Sequence, residues 1–233
     1  MNICISGSSR GLGKAFVQNY LEKGAKLYGL GRSEVLDKRY RYTQVDIADF
    51  DALKMSLESL LEGVNELDLL ILNAGILGRI QDISSCTMDQ LKKEMDVNMW
   101  ANKIILDFII DKKIRVKQVI AISSGASVNG SLGWNGYSLS KAALNMLIKL
   151  YAAEMRETHL STIAPGLVKT EMIDSILLGD HDVERYSSVQ SLRDSEKMGL
   201  ILSPAQTVAK VSLLLPRVLQ EESGSFIHIR TMT

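Results

Sequence analysis

Two rhythms of apolar and polar residues alternate along the chain. Short runs with apolar residues on both faces of an extended backbone stand at residues 2–6, 25–30, 42–45, 67–72, 116–122, 160–163 and 226–229. Most are closed by Gly, Ser, Asn, Asp or Pro, and runs of this length and bounding predict buried β-strands. Between them, apolar residues recur every three or four positions. Residues 14–23 carry Ala15, Phe16, Val17, Tyr20 and Leu21 in a helical stripe. Similar stripes predict helices over 49–61, 88–111, 137–158 and 204–219. Asp49 suits an N-cap and Pro204 a first helical position. Residues 167–203 have poor periodicity and predict a loop with short helices. Strands that alternate with helices and are apolar on both faces form a parallel sheet covered on both sides. The expectation is one three-layer α/β/α domain with a doubly wound sheet over residues 1–233, with no dividing linker, internal repeat or low-complexity segment.

The length of 233 residues suits one such domain with a sizeable core. Lys and Arg number 27 against 27 Asp and Glu, and aromatics make up 6%. A nucleic-acid surface wants a basic face and stacking rings, so no nucleic-acid partner is expected. The longest apolar run, residues 67–77, is broken by Asp68 and Asn73 and is too short to span a bilayer. No charged region or cleavage-like site flanks the first apolar residues. The expectation is a cytoplasmic protein with no membrane partner. Cys4 and Cys86 stand apart from any CxxC motif or His cluster, so both are expected to be reduced, with no metal bound.

The chemistry begins at the end of the first predicted strand. Ser6-Gly7-Ser8-Ser9-Arg10-Gly11-Leu12-Gly13 joins it to the first predicted helix. Glycines in a strand–turn–helix let backbone N–H groups and a helix N-terminus approach a pyrophosphate without a Cβ in the way. That context points to a Rossmann-type nucleotide-binding fold. In such folds the tip of the second strand meets the adenosine ribose. No Asp or Glu stands there between Gly29 and Ser33; Arg32 occupies the place, and Arg10 lies in the glycine turn. Two guanidiniums suit a 2′-phosphate, although either fits a solvated surface position equally well. Tyr137 and Lys141 lie one helical turn apart. An ammonium beside a phenol lowers a pKa of about 10 and prepares the tyrosine to give or take a proton. Taken alone, the pair fits a packing tyrosine and a solvated lysine just as well.

Together, Ser6-Gly7-xxx-Gly11-x-Gly13, Asn73-Ala74-Gly75, Asn98, Ser124, Tyr137-xxx-Lys141 and Pro165-Gly166 resemble, in order and spacing, the short-chain dehydrogenase/reductase family in its short single-domain form. The resemblance covers nearly the whole chain. It implies that Tyr137 is the general acid toward a carbonyl oxygen in reduction and the base in the reverse direction. Ser124, rather than Ser123, matches the position that hydrogen-bonds that oxygen as charge develops. Lys141 is implied to lower the Tyr137 pKa and bind the nicotinamide ribose, and Asn98 to hold a helix and a water in the proton relay. The cofactor wall is implied at Gly7, Ser9, Arg10, Gly11, Leu12 and Gly13. Arg32 would meet the ribose, Asp46 and Ile47 the adenine, and Asn73, Ala74 and Gly75 the adenosine ribose region. Tyr137, Lys141, Pro165, Gly166, Val168 and Thr170 would line the nicotinamide end. The substrate would meet Ser124, Trp134, Tyr137 and Met172. Met172, Ile176, Leu177 and Leu178 would belong to a mobile lid within residues 167–203. A homodimer through helices 88–111 and 137–158 is implied, with a tetramer as the larger alternative.

The chain departs from the family pattern in three places. Ser6 stands for the common threonine, the connection from Gly31 to Tyr42 is short, and the usual closing glycine pair is missing near Gly224. The region from Tyr186 through Leu202, with Ser203-Pro204, loosely resembles the sepiapterin reductase and benzil reductase branch. The resulting expectation is NADP(H)-dependent reduction of a small apolar ketone or dicarbonyl, with NAD(H) as the other cofactor. One rival is an NAD-dependent alcohol dehydrogenase, which an acid at position 32 would have favoured. Another is an idle dinucleotide-binding regulator, which loss of the Ser, Tyr or Lys would have marked. The substrate itself is set by residues 167–203 and the loop holding Trp134, and loops vary widely.

Overall fold

The computed structural model describes residues 1–232. Its strands are β1 Asn2–Ser6, β2 Lys26–Gly31, β3 Arg41–Gln44, β4 Glu66–Leu72, β5 Arg115–Ile122, β6 His159–Ala164 and β7 Phe226–His228. They form one sheet in the order β3-β2-β1-β4-β5-β6-β7, with every neighbouring pair parallel. The helices are α1 Gly11–Glu22, α2 Phe50–Leu60, α3 Met88–Met95, α4 Ala101–Asp111, α5 Ala126–Asn129, α6 Asn135–Glu154, α7 Glu171–Leu177, α8 Ser187–Lys197 and α9 Pro204–Val218. This is the doubly wound three-layer architecture expected from the apolar pattern.

The apolar strands divide by pleat. Ile3, Ile5, Ile71 and Ile120 pack in one layer with Phe16 of α1 and Val208 and Val211 of α9. Cys4, Leu70 and Val119 turn the other way, toward Leu57 of α2, Ile105 of α4 and Leu144 and Ile148 of α6. Alternate residues thus serve two layers, which explains why the sequence shows no polar face on these strands. The winding reverses between β1 and β4, and such a reversal opens a crevice beyond the strands' C-terminal ends. The short connection after β2 crosses to β3 without a helix.

One expectation needs correction. The single helix predicted over 88–111 is α3, a π-turn at Asp96–Trp100, and α4. The Asn98 side chain accepts from the Ile76 N–H at 2.8 Å and donates to the Ile76 carbonyl at 2.9 Å. The wide turn presents Asn98 for both bonds, a common use of an inserted π-turn. Residues 167–203 hold short helices joined by irregular chain, as the poor periodicity predicts. They carry α7 and α8 around a small core of Ile176, Val189 and Leu192, packed on Trp134 and Tyr186. A parallel backbone bridge between Val168 and Leu202 closes the segment at its base. The short α7 and the polar α8, with only Val189 and Leu192 buried, account for the weak period of this stretch. Among the described residues no helix is long and apolar enough to cross a membrane.

Candidate active site

A cleft of about 550 Å³ extends from Gly31 and Arg32 to Trp134 and Met172. Its floor is tied by Ser6, whose hydroxyl accepts from the Asn73 and Ala74 N–H groups at 3.0 and 3.1 Å. A serine supplies this acceptor as well as a threonine would. Asn73 borders the cleft, but its amide donates to the Ser6 and Gly7 carbonyls, both at 3.1 Å, so it shapes the glycine turn. Gly7 has φ +68°, and a Cβ on it would lie 2.8 Å from the Ala74 Cα. Gly13 sits under the turn and does not line the cleft: its Cβ would fall 2.0 Å from the Gly7 carbonyl oxygen. Glycine there lets α1 begin directly beneath the turn. The N-cap, Arg10, makes no side-chain cap. The first-turn N–H groups, including those of the wall residues Gly11 and Leu12, therefore lack a capping partner and suit an anion.

At the far end the wall holds Ser9, Arg32, Asp46 and Ile47. Gln44 donates to the Arg32 carbonyl at 2.9 Å, and the Tyr42 hydroxyl to the Ser33 carbonyl at 2.5 Å. These bonds hold the strand tip while the Arg32 guanidinium stays exposed and, among the described residues, without a carboxylate partner. Arg10 is different: its Nη1 pairs with Glu171 Oε2 at 2.9 Å. Both side chains are more than half exposed, and such a pair is worth about 1 kcal/mol or less.

Tyr137 stands in the first turn of α6, with Lys141 one turn on. Lys141 is 3% exposed, donates to the Ile122 carbonyl at 2.7 Å, and has its Nζ 5.8 Å from the Tyr137 ring centre. A Cβ on Gly75 would come within 3.3 Å of both Lys141 Nζ and Asn98 Oδ1. Burial brings the lysine down to about 8. Burial also pushes the Tyr137 phenol up, while Ser124 beside it pulls the other way. The sequence predicts a phenol acidified by its lysine; in the structure burial outweighs the one lowering influence, the Ser124 hydrogen bond. Both serines border the cleft, and they differ in partner. Ser123 is buried and donates to Asn145 Oδ1 at 2.7 Å, whereas Ser124 faces Tyr137. Asn98 is fully buried and does not line the cleft. It also donates to Ser140 Oγ at 2.9 Å, and Ser140 donates to the Tyr137 carbonyl at 3.0 Å. Asn98 thus ties the Ile76 loop to the first turn of α6 from behind.

At the remaining end, Pro165, Gly166, Val168 and Thr170 line the cleft, as does Met172. The Trp134 ring lies 6.1 Å from that of Tyr137, and its Nε1 donates to Ser188 Oγ at 2.8 Å. Ile176 joins this wall, but Leu177 and Leu178 do not. Leu177 packs within the small core, and Leu178 is 87% exposed, because α7 turns only one side inward. Sequence reasoning missed Leu77, Val97 and Glu171 in the wall. It also missed Glu94, which is 6% exposed, with Oε2 unpartnered and its proton affinity raised by burial. Its carboxyl fills the space left by two glycines: a Cβ on Gly78 would fall 1.9 Å from Oε1, and one on Gly136 2.6 Å from Oε2. Only those two glycines marked the place.

The model of the short chain dehydrogenase family matches residues 1–179. An uncharacterized oxidoreductase of Schizosaccharomyces pombe is 30% identical over 237 residues, spanning 97% of this chain and 95% of its own. Benzil reductase ((S)-benzoin forming) of Bacillus subtilis is 27% identical over 214 residues, 86% of this chain and 87% of its own. A short chain dehydrogenase/reductase structure from Saccharomyces cerevisiae superposes with a TM-score of 0.84 at 24% identity, over 99% of this chain and 96% of its own. That last likeness shows the fold.

Proposed function

The chain belongs to the short-chain dehydrogenase family and is an oxidoreductase of carbonyl and alcohol groups; on that premise we propose that it reduces a small apolar ketone or 1,2-diketone with NADPH, using Tyr137 as general acid. The observation that carries this reading is the meeting of Tyr137, Ser124 and Lys141 at one end of a cleft whose other end is a glycine cradle with a free arginine. The cleft's fit to a dinucleotide rests on the uncapped α1 N-terminus beside Gly7 and Gly11, which suits a pyrophosphate, and on Arg32, which suits a 2′-phosphate. Asp46 and Ile47 would border the adenine, and Pro165, Gly166, Val168 and Thr170 the nicotinamide. A bound nicotinamide supplies the hydride.

The chain's own residues do the rest. Tyr137 gives its phenolic proton to the carbonyl oxygen, and Ser124 hydrogen-bonds that oxygen as negative charge gathers on it. Lys141, when charged, stabilises the phenolate left behind. Leu77, Trp134, Met172 and Ile176 form an apolar surround that favours a carbonyl flanked by hydrocarbon and excludes water. The likeness to a benzil reductase supports a diketone.

The test is turnover of benzil with NADPH or NADH. Tyr137→Phe is expected to retain NADPH binding and lose about 10² to 10⁴ in turnover; near-normal turnover would refute the assignment. Arg32→Ala is expected to raise KM for NADPH about tenfold more than for NADH, the worth of one charge-assisted hydrogen bond partly screened by water. An unchanged ratio would show that Arg32 does not select the phosphate.

A further inference from the structure

Three hydrogen bonds form a chain through Asn145, two of them joining the loop of Ser124 to the helix that carries Tyr137 and Lys141. The Ser123 hydroxyl donates to Asn145 Oδ1 at 2.7 Å. Asn145 Nδ2 donates to Ser127 Oγ at 2.9 Å. The Ser127 hydroxyl donates to the Ser124 carbonyl at 2.6 Å. Asn145 lies on α6 one turn beyond Lys141 and two beyond Tyr137, so it shares their side of the helix. The chain runs in one direction only. A serine has one proton, and that of Ser127 reaches Ser124 because Asn145 presents it a donor rather than an acceptor. Reversing the amide would offer Ser127 an oxygen and draw its proton away from Ser124. Within its own loop, the Ser124 hydroxyl accepts from the Ala126 N–H at 3.2 Å. The following helix, α5, is a single turn ending at a left-handed Gly130. The backbone is fixed by the Ser123 N–H on the Ile163 carbonyl at 2.8 Å and the Ser127 N–H on the Ser124 carbonyl at 3.0 Å, and Asn145 adds the side-chain tie to α6.

We propose that Asn145 is a positioning residue, which holds Ser124 against Tyr137 through Ser123 and Ser127. The proposal rests on the reading of Ser124 and Tyr137 as the pair acting on the substrate oxygen. Neither Asn145 nor Ser127 lines the cleft, so Asn145 acts through Ser124 and has no direct contact of its own with substrate.

The experiment compares wild type, Asn145→Asp, Asn145→Ala, Ser124→Ala and the Ser124→Ala/Asn145→Asp double variant. Asp is nearly isosteric with Asn and still accepts from Ser123, yet it offers Ser127 only an acceptor. It thus breaks the direction of the chain while keeping its shape. Two quantities are read: benzil turnover with NADPH, and the carbon-13 resonance of Tyr137 Cζ, assigned by its absence in Tyr137→Phe. Asn145→Asp is expected to lower kcat about tenfold, the worth of one well-placed hydrogen bond, with NADPH affinity unchanged within about twofold. It is also expected to move the Tyr137 resonance in the direction that Ser124→Ala moves it. In the Ser124→Ala background, Asn145→Asp is expected to add nothing. A full second loss in that background, or a Tyr137 resonance unmoved by both Asn145 variants, would overturn the proposal. The resonance needs no substrate and decides the matter even if one variant is poorly folded, since the two Asn145 variants are independent. If Ser124→Ala and Tyr137→Phe both turn over normally, the catalytic reading fails instead, and the resonance still reports whether Asn145 holds Ser124.

Discussion

Lys141 is buried deeply enough to lose its proton at about pH 8. On the proposed mechanism its charge helps Tyr137 release a proton, so reduction should slow as pH rises through that value. A profile of kcat/KM for benzil with NADPH is expected to fall above about pH 8, and a flat profile to pH 9.5 would count against the role of the lysine. Glu94 carries the opposite lesson. Burial raises its pKa above the ordinary 4.5, so the native state holds this proton more tightly than the unfolded chain does. By linkage, its burial costs no stability below the ordinary value and destabilises progressively as pH rises through the raised one. Glu94→Gln should therefore raise Tm at pH 8 and lose that advantage near pH 4. Thermal melts that show the same gain at both pH values would exclude an ionisation effect.

The α7–α8 segment is held to the rest of the protein by ties at its rim. Arg185 pairs with Asp82, and the Tyr186 hydroxyl donates to Asp82 at 3.2 Å. Trp134 bonds Ser188, and Glu171 meets Arg10 across the cleft. Lys169, at the base, pairs with Asp174 at 2.8 Å and with Glu196. The exposed ion pairs are individually weak, while the segment's own core of Ile176, Val189 and Leu192 holds it together. We propose that the segment moves as a unit about the Val168–Leu202 bridge. Hydrogen exchange over residues 167–203 is expected to slow when NADPH and a diketone bind together. Unchanged protection would argue against a lid.

At the scale of the molecule, α6 leaves Leu139, Met146 and Leu150 exposed along one side, and the neighbouring α3–α4 layer leaves Trp100 and Ile110 exposed. Spacings of seven and four place the three α6 residues on one stripe, which a monomer would leave in water. We propose that a two-fold partner covers it, the commonest form of association. The 25.8 kDa chain is expected to give twice that mass by light scattering at micromolar concentration. Met146→Glu with Leu150→Glu should return it to one chain, with the fold intact by circular dichroism. A wild type that is monomeric throughout would refute this.

Local periods and spacings in the sequence were enough to determine the sheet–helix alternation, the glycine turn before α1, and the pairing of Tyr137 with Lys141. Each depends on residues within a few positions of one another, where strand pleat, helix turn and glycine sterics leave little choice. The preference for Ser124 over Ser123 came from the family resemblance, which carries its own serine-to-tyrosine spacing. What the sequence could not specify depended on what folds over a residue. The π-turn arises where Asn98 meets Ile76, 22 residues away. Arg10 is drawn to Glu171 across 161 residues, while Arg32, also in the cleft wall, has no carboxylate partner among the described residues. Glu94 is buried because Gly78, in the connection after β4, and Gly136, in the first turn of α6, leave room for its carboxyl. The proton affinities of Tyr137 and Lys141 also belong to the tertiary structure, since removal from water acts on both and only the surrounding layers determine how much water remains.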